Sequence, residues 1–145
     1  MEVVNFVKLS PYAKEPTQHS DDSIGYDIYN PTNQDIYIDP NNQVEIDTQI
    51  SIEIPYNLWI LIASKSRIAK TFQTYVEGGI IDQGYRGSII VLLKNTGNKR
   101  VLIQAGDAIA QLIFLPVLKR KFKEVSTIDK NTERGTRGFG GIYGC

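Results

Sequence analysis

The sequence predicts an all-β domain, a sandwich or barrel of short strands with one short helix. Three observations carry this reading. Residues 44–54, "VEIDTQISIEI", alternate strictly: Val44, Ile46, Thr48, Ile50, Ile52 and Ile54 are apolar or β-branched, and Glu45, Asp47, Gln49, Ser51 and Glu53 are polar. A two-residue period is what a strand with one buried face requires. Apolar runs recur at 58–63, 88–95, 100–103, 108–118 and 124–128. Turn-forming clusters separate them: "NPTNQ" at 30–34, "DPNNQ" at 39–43, "GNK" at 97–99 and "AGD" at 105–107. Short strands with regular turns between them read as a closed or two-layered β architecture.

Taken in order, the alternating strand ends at Pro55, which cannot donate to a ladder. "LWILIA", residues 58–63, reads as a buried strand. "RIAKTFQTY", residues 67–75, is the one candidate helix. "SIIVLLKN", 88–95, is a second buried strand, closed by the turn "NTGN". "RVLI", "AIAQLIFLPVL" and "EVSTI" come next as further strands. The run "KRKFK" at 119–123 reads as a solvated face. The chain then changes character: "KNTERGTRGFGGIYGC" is glycine-rich and polar, with too little apolar content to fold by itself. Two parts are therefore expected, a β domain over 1–128 and a flexible C-terminal arm over 129–145.

Composition narrows the function classes. A chain of 145 residues suits one domain, which buries roughly two-thirds of its unfolded surface. Lys+Arg and Asp+Glu number 16 each, which argues against a nucleic-acid coat, since that needs a basic surplus. No apolar run approaches the roughly 20 residues of a membrane span, and the start "MEVVNFVKLSPYAKEP" lacks a signal-peptide pattern. No nucleic-acid or membrane partner is expected. One cysteine, Cys145, and one histidine, His19, leave no internal disulfide, cysteine metal cluster or histidine-centred triad. A reducing, intracellular setting is expected. Any chemistry must rest on carboxylates, cations and backbone.

Five stretches are candidates for it. In "EGGIIDQGYRG", 77–87, Asp82 stands alone among glycines. A turn uses such an acid as a cap. A pocket uses it as a base, with glycines allowing backbone to approach a ligand closely. In "ASKSRIAK", 63–70, Lys65 and Ser66 precede the candidate helix, where amides favour anions, and a plain cap explains them equally. Gln111 is polar within the apolar run of "GDAIAQLIF" and could simply face outward. Asp27 in "SIGYDIYN" needs a partner or a cation if buried. The arm carries arginines, Phe139 and Tyr143 among glycines, a composition suited to closing over an anionic ligand with a flat ring.

In order, G-Y-D at 25–27, K-S at 65–66, G-I-I-D-x-G-Y-R-G at 79–87, G-D-x-I-A-Q-L at 106–112 and R-G-x-x-G-F-G at 134–140 resemble the trimeric dUTP pyrophosphatase (dUTPase) family. The resemblance spans 25–140, and its Lys-Ser second motif is similar to that of retroviral dUTPases. It implies a jelly-roll-like subunit, a homotrimer with active sites shared between subunits, and Mg²⁺ on the substrate. The implied reaction is dUTP plus water to dUMP and pyrophosphate, which keeps uracil out of DNA and supplies dUMP for thymidylate synthesis. By position, Asp82 matches the carboxylate that activates the attacking water. Tyr85 matches the ring that packs on deoxyribose. The backbone of Gly79, Ile80 and Ile81 matches the uracil reader. Asp27 matches the acid that holds Mg²⁺ through water. Lys65, Ser66 and Gln111 match phosphate contacts, and Arg67, standing where the family has glycine, offers a further charge. Arg134 matches the γ-phosphate clamp, and Phe139 with Gly140 the cover over uracil.

The motifs also depart from the family. Lys65 keeps the charge of the usual arginine without its two-pronged geometry. Ala108 stands where an arginine is usual, and "GFGGIYG" lacks the hydroxyls that usually follow G-F-G. These changes leave open a catalytically weak or inactive binding or regulatory protein of the same fold. The related dCTP deaminase chemistry is a third reading, which the Asp82–Tyr85 pattern disfavours.

Overall fold

The computed structural model describes residues 2–139. Its longest strand is the one with the strict alternation. We number the elements β1 (Phe6–Lys8), β2 (Thr17–Gln18), β3 (Tyr26–Tyr29), β4 (Ile36–Ile38), β5 (Gln43–Ile52), β6 (Leu58–Ala63), α1 (Ser66–Phe72), β7 (Thr74–Glu77), β8 (Ile80–Ile81), β9 (Ser88–Asn95), β10 (Val101–Ile103) and β11 (Ala108–Pro116). One sheet has the order β1-β5-β9-β7, a second β2-β3-β11-β6-β8, and β10 and β4 form a small third pair. Every described pairing is antiparallel. The sheets share one core: Ile46, Ile50 and Ile52 of β5 and Ile89, Val91 and Leu93 of β9 meet Ile28, Ile60, Ile62, Ile109 and Leu112 of the second sheet. Each fully buried aliphatic side chain of this kind contributes about 1.5–3 kcal/mol of transfer free energy. The expected all-β jelly-roll-like subunit with one short helix is the observed one.

Two irregularities shape the surface that carries the candidate residues. In β11 the pairing with β3 slips between Ala108 and Ala110. The slip lets two successive residues, Ile109 and Ala110, both bury completely, and it sets Gln111 on the face away from the core. In β5 the pairing with β9 slips between Asp47 and Ser51, with Gln49 in the left-handed region at φ 60°.

Two expectations need correction. The helix, expected over 67–75, spans Ser66–Phe72. Gln73 takes a left-handed conformation that closes it, with its N–H on the carbonyl of Ala69, and the next residue, buried Thr74, already pairs with Asn95. The expected strand at 124–128 is absent: the segment has no ladder, and Val125 and Ile128 are exposed. A strand needs a neighbouring strand to pair with, and among the described residues none pairs with this segment. The glycine-rich segment runs between the two sheets. Its outgoing limb, β8, pairs with β6 in the second sheet, and its return limb leads into β9 of the first sheet, so the segment bridges the two layers. Strands β1, β2 and β4 span three, two and three residues and are too short to show a period. No helix among the described residues is long and apolar enough to cross a membrane.

Candidate active site

Asp27, Gln111 and Ala63 lie opposite one another on the adjacent strands β3, β11 and β6. Their neighbours Ile28, Leu112 and Ile62 are buried. Strand alternation therefore turns Asp27 and Gln111 outward, on one face of the sheet. Lys65, just past β6, donates from Nζ to Asp27 Oδ1 at 2.6 Å, with 25% and 16% of the two side chains exposed. Gln111 Nε2 donates to the Ser64 carbonyl at 3.0 Å, and the Val76 N–H donates to Ser64 Oγ at 3.0 Å. Two strands thus pin the loop that presents Lys65 and Ser66. Gly25 completes the fit. A Cβ there would overlap Gln111 Oε1, so the close crossing of β3 by the glutamine side chain excludes any larger residue. Ser66 and Arg67 are exposed, and the Arg67 guanidinium lies 5.7 Å from the centroid of the Phe72 ring.

The glycine-rich segment forms a second cluster. Gly78 and Gly79 have φ of 66° and 97°, conformations that a side chain resists. A Cβ on Gly79 would also meet the Ile62 carbonyl at 2.6 Å. The Ile62 N–H donates to the Gly79 carbonyl at 2.6 Å, and Ile80 and Ile81 sit opposite Leu61 and Ile60. Antiparallel pairs alternate between bonded and non-bonded. The pair after Gly79–Ile62 therefore turns the N–H and C=O of Ile80 away from β6. Since β8 ends its sheet, one donor and one acceptor stand side by side on an open edge. Asp82 comes next, exposed, and its carbonyl accepts the Tyr85 N–H at 3.0 Å in a tight turn. Tyr85 donates its hydroxyl to the Ser88 carbonyl at 2.8 Å. Its ring folds over Gly87, where a Cβ would come within 2.5 Å of the phenol oxygen.

In the arm, Arg134 Nε donates to the Arg137 carbonyl at 2.8 Å and Arg137 Nε to the Arg134 carbonyl at 2.9 Å. The described hydrogen bonds of Arg134 stay within the arm, and Phe139 is wholly exposed. Gly140 lies outside the described residues.

The structure therefore gathers Asp27, Lys65, Ser66 and Gln111 in one cluster and Gly79, Ile80, Ile81, Asp82 and Tyr85 in another, and leaves Arg134 and Phe139 apart from both. The two clusters are well separated. Asp82 follows the last ladder pair, Ile81–Ile60; continuing that ladder by one residue would set it opposite Trp59, four residues along β6 from Ala63, and three strand spacings separate β8 from β3. At ~3.3 Å per residue and ~4.8 Å per strand, this puts Asp82 roughly 19 Å from Asp27. The sequence assigns no role to Ser64 and marks Gly25 and Gly87 only as motif glycines; the side chains that need the space of their missing Cβ atoms, Gln111 and Tyr85, appear only in the fold. Asp107, which the fourth motif contains, caps its own turn and accepts the Gln104 N–H at 2.8 Å.

Comparison with known proteins gives the family. The dUTPase family model matches residues 11–141. The chain is 39% identical over 142 residues to the deoxyuridine 5′-triphosphate nucleotidohydrolase of Fowlpox virus (strain NVSL), covering 97% of each. It is 38% identical over 137 residues to that of Rattus norvegicus, covering 94% of this chain and 65% of the rat protein, so it spans about two-thirds of that relative's length. Among solved structures, the Staphylococcus bacteriophage 80alpha dUTPase with dUpNHpp superposes with a TM-score of 0.88 at 24% identity, covering 97% of this chain and 98% of the other. Fold, motif order and relatives agree: the chain belongs to the dUTPase family.

Proposed function

We propose that the protein hydrolyses dUTP to dUMP and pyrophosphate. The observation that carries the reading is the exposed Asp82 carboxylate, placed two residues after the open-edge backbone of Ile80 and three residues before the Tyr85 ring. Uracil offers an N–H flanked by carbonyl oxygens, which the free C=O and N–H of Ile80 can meet. Cytosine reverses that order and leaves the groups unpaired, an effective rejection of a near neighbour. Tyr85 packs on the deoxyribose, and its ring leaves no room for a 2′-hydroxyl. Asp82 takes a proton from a water whose oxygen attacks the α-phosphorus. The bond from that phosphorus to the bridging oxygen breaks, and pyrophosphate leaves. Lys65, Ser66, Arg67, Gln111 and, from the arm, Arg134 bind the phosphates, while Phe139 and Gly140 cover the base. Positioning and charge stabilisation carry the catalysis, which is how a chain with one histidine and one cysteine can run it.

The residues fit Mg²⁺ in one way. No group of three or more His, Cys, Asp or Glu that could cage a metal exists among the described residues. Asp27 offers hard oxygen donors, and such a lone carboxylate suits a hydrated cation held mostly by phosphates and water. When bound, Mg²⁺ neutralises charge on the phosphates. Lys65 already occupies one oxygen of Asp27, so this pair is the local charge balance of the free site.

The separation of roughly 19 Å between Asp82 and Asp27 supports sites shared between subunits of a homotrimer. A base and a phosphate-binding cluster this far apart along one sheet suit a site completed by a second subunit. An intracellular setting suits the substrate, a precursor of nucleic acids, and the reaction keeps uracil out of DNA while providing dUMP. Pyrophosphate release measured with dUTP, dTTP, dCTP and UTP in Mg²⁺ tests the proposal. We expect turnover of dUTP alone and its loss in Asp82→Asn. Binding of dUTP with no release would replace the proposal with a binding or regulatory role. Ammonia from dCTP would replace it with deamination.

A further inference from the structure

We propose that Asp47 and Ser88, acting through the irregularity in β5, are positioning residues that hold the Tyr85 ring and so set the discrimination between deoxyribose and ribose. The proposal rests on the sugar-packing role of Tyr85.

The return limb of the glycine-rich segment, 86–89, makes its own grip on β5. Between the pairs Asp47–Ile90 and Ser51–Ser88, β5 advances four residues while β9 advances two. The two extra residues are accommodated by Gln49 at φ 60°, a conformation a non-glycine residue keeps only when its surroundings enforce it. The enforcing contacts are visible. Asp47 Oδ1 accepts the Gln49 N–H at 2.8 Å and also the Ser88 hydroxyl. Ser51 Oγ donates to the Arg86 carbonyl. Buried Thr48 donates from Oγ1 to the Ile89 carbonyl at 2.6 Å. Three side chains of the bulged stretch thus hold residues 86, 88 and 89.

Ser88 is the hinge of this arrangement. Its side chain is bound by Asp47, and its carbonyl accepts the Tyr85 hydroxyl at 2.8 Å. One residue therefore passes the geometry of the bulge to the ring. Gly87, which has no side chain, leaves the space the ring occupies. A ring tethered at its hydroxyl can exclude an added hydroxyl on the sugar. A ring free to swing cannot, because it moves aside for the larger substrate. The bulge serves this purpose better than a regular ladder would: a regular antiparallel pair spends its backbone groups on the neighbouring strand and aims no side chain at the limb beyond.

The test compares kcat and KM for dUTP and UTP. Asp47→Ala and Ser88→Ala should each raise the UTP-to-dUTP ratio of kcat/KM about tenfold, the scale of one charge-assisted hydrogen bond. We expect kcat on dUTP to stay within about twofold, with the change appearing in KM. Tyr85→Phe, which loses only the tether to Ser88, should move the ratio the same way, and Tyr85→Ala should move it furthest. Asp47→Asn and Ser88→Thr keep an acceptor and a hydroxyl and should restore the wild-type ratio. If Asp47→Ala does not fold, Ser88→Ala and Tyr85→Phe carry the test. An unchanged ratio in Ser88→Ala and Tyr85→Phe, with a raised ratio in Tyr85→Ala, overturns the positioning role and leaves the reading of Tyr85 intact. An unchanged ratio in Tyr85→Ala overturns both. A lowered melting temperature with no change of ratio assigns the bulge to stability alone and also overturns the proposal.

Discussion

Gly25→Ala isolates how the phosphate-side loop is held, because Gly25 is buried and its backbone lies outside the left-handed region that favours glycine. The change therefore acts through packing alone. The new methyl group would overlap Gln111 Oε1 and stand 3.0 Å from its Cδ and 3.2 Å from its Cβ. Rotating the glutamine clears the first two atoms and breaks its bond to the Ser64 carbonyl, a loss of about 1 kcal/mol. The Cβ contact does not depend on rotation, so β3 and β11 must part slightly, at about 1 kcal/mol of overpacking. The sum, about 2 kcal/mol, lowers the melting temperature by about 4–8 °C for a domain of this size. A double-mutant cycle by urea denaturation at fixed protein concentration is the decisive assay. Gln111→Ala removes the same hydrogen bond and the clashing amide, so Gly25→Ala should cost about 1 kcal/mol less in that background than in the wild type. Strict additivity, or a Gly25→Ala protein that melts with the wild type, refutes the reasoning. The loosened loop should also raise KM for dUTP more than it lowers kcat.

Lys65→Met leaves the Asp27 carboxylate, 16% exposed, without its partner. We expect about 1–2 kcal/mol of destabilisation, recovered largely by Lys65→Arg and measured by urea titration of both. Thr48→Val keeps the shape of a side chain only 2% exposed but abandons the Ile89 carbonyl, and should cost about 1–2 kcal/mol in the same assay. Truncation after Ile128 should leave the melting temperature within about 2 °C, the effect of surface changes, because residues 118–139 are all exposed. Pyrophosphate release from dUTP should fall sharply in the same protein.

The range of each interaction decides how much of it is legible in the sequence. The strands at 58–63 and 88–95 are readable to the residue because burial on both sides or one side writes itself as a local pattern. Asp82 is not readable from its own segment, where a turn cap explains it equally; its proposed role comes from the order of the five motifs together. The helix end is not readable either: Gln73 closes α1 because Thr74 is claimed by Asn95, twenty-one residues later, and nothing near Gln73 announces it. The strand expected at 124–128 fails for the converse reason, since its residues suit a strand and no partner strand stands beside it among the described residues. Asp47 shows the limit most clearly. In the sequence it is one more polar residue on the solvent side of an alternating strand, indistinguishable from Glu45. Only the slip of register turns its carboxylate onto Ser88, and a slip is a property of two strands, not of either. The residues that perform the proposed chemistry are thus visible in the order of short motifs along the chain. The residues that aim them, Gly25, Ser64, Asp47 and Ser88, act across 41 to 86 positions of chain and become visible only when the sheets are assembled.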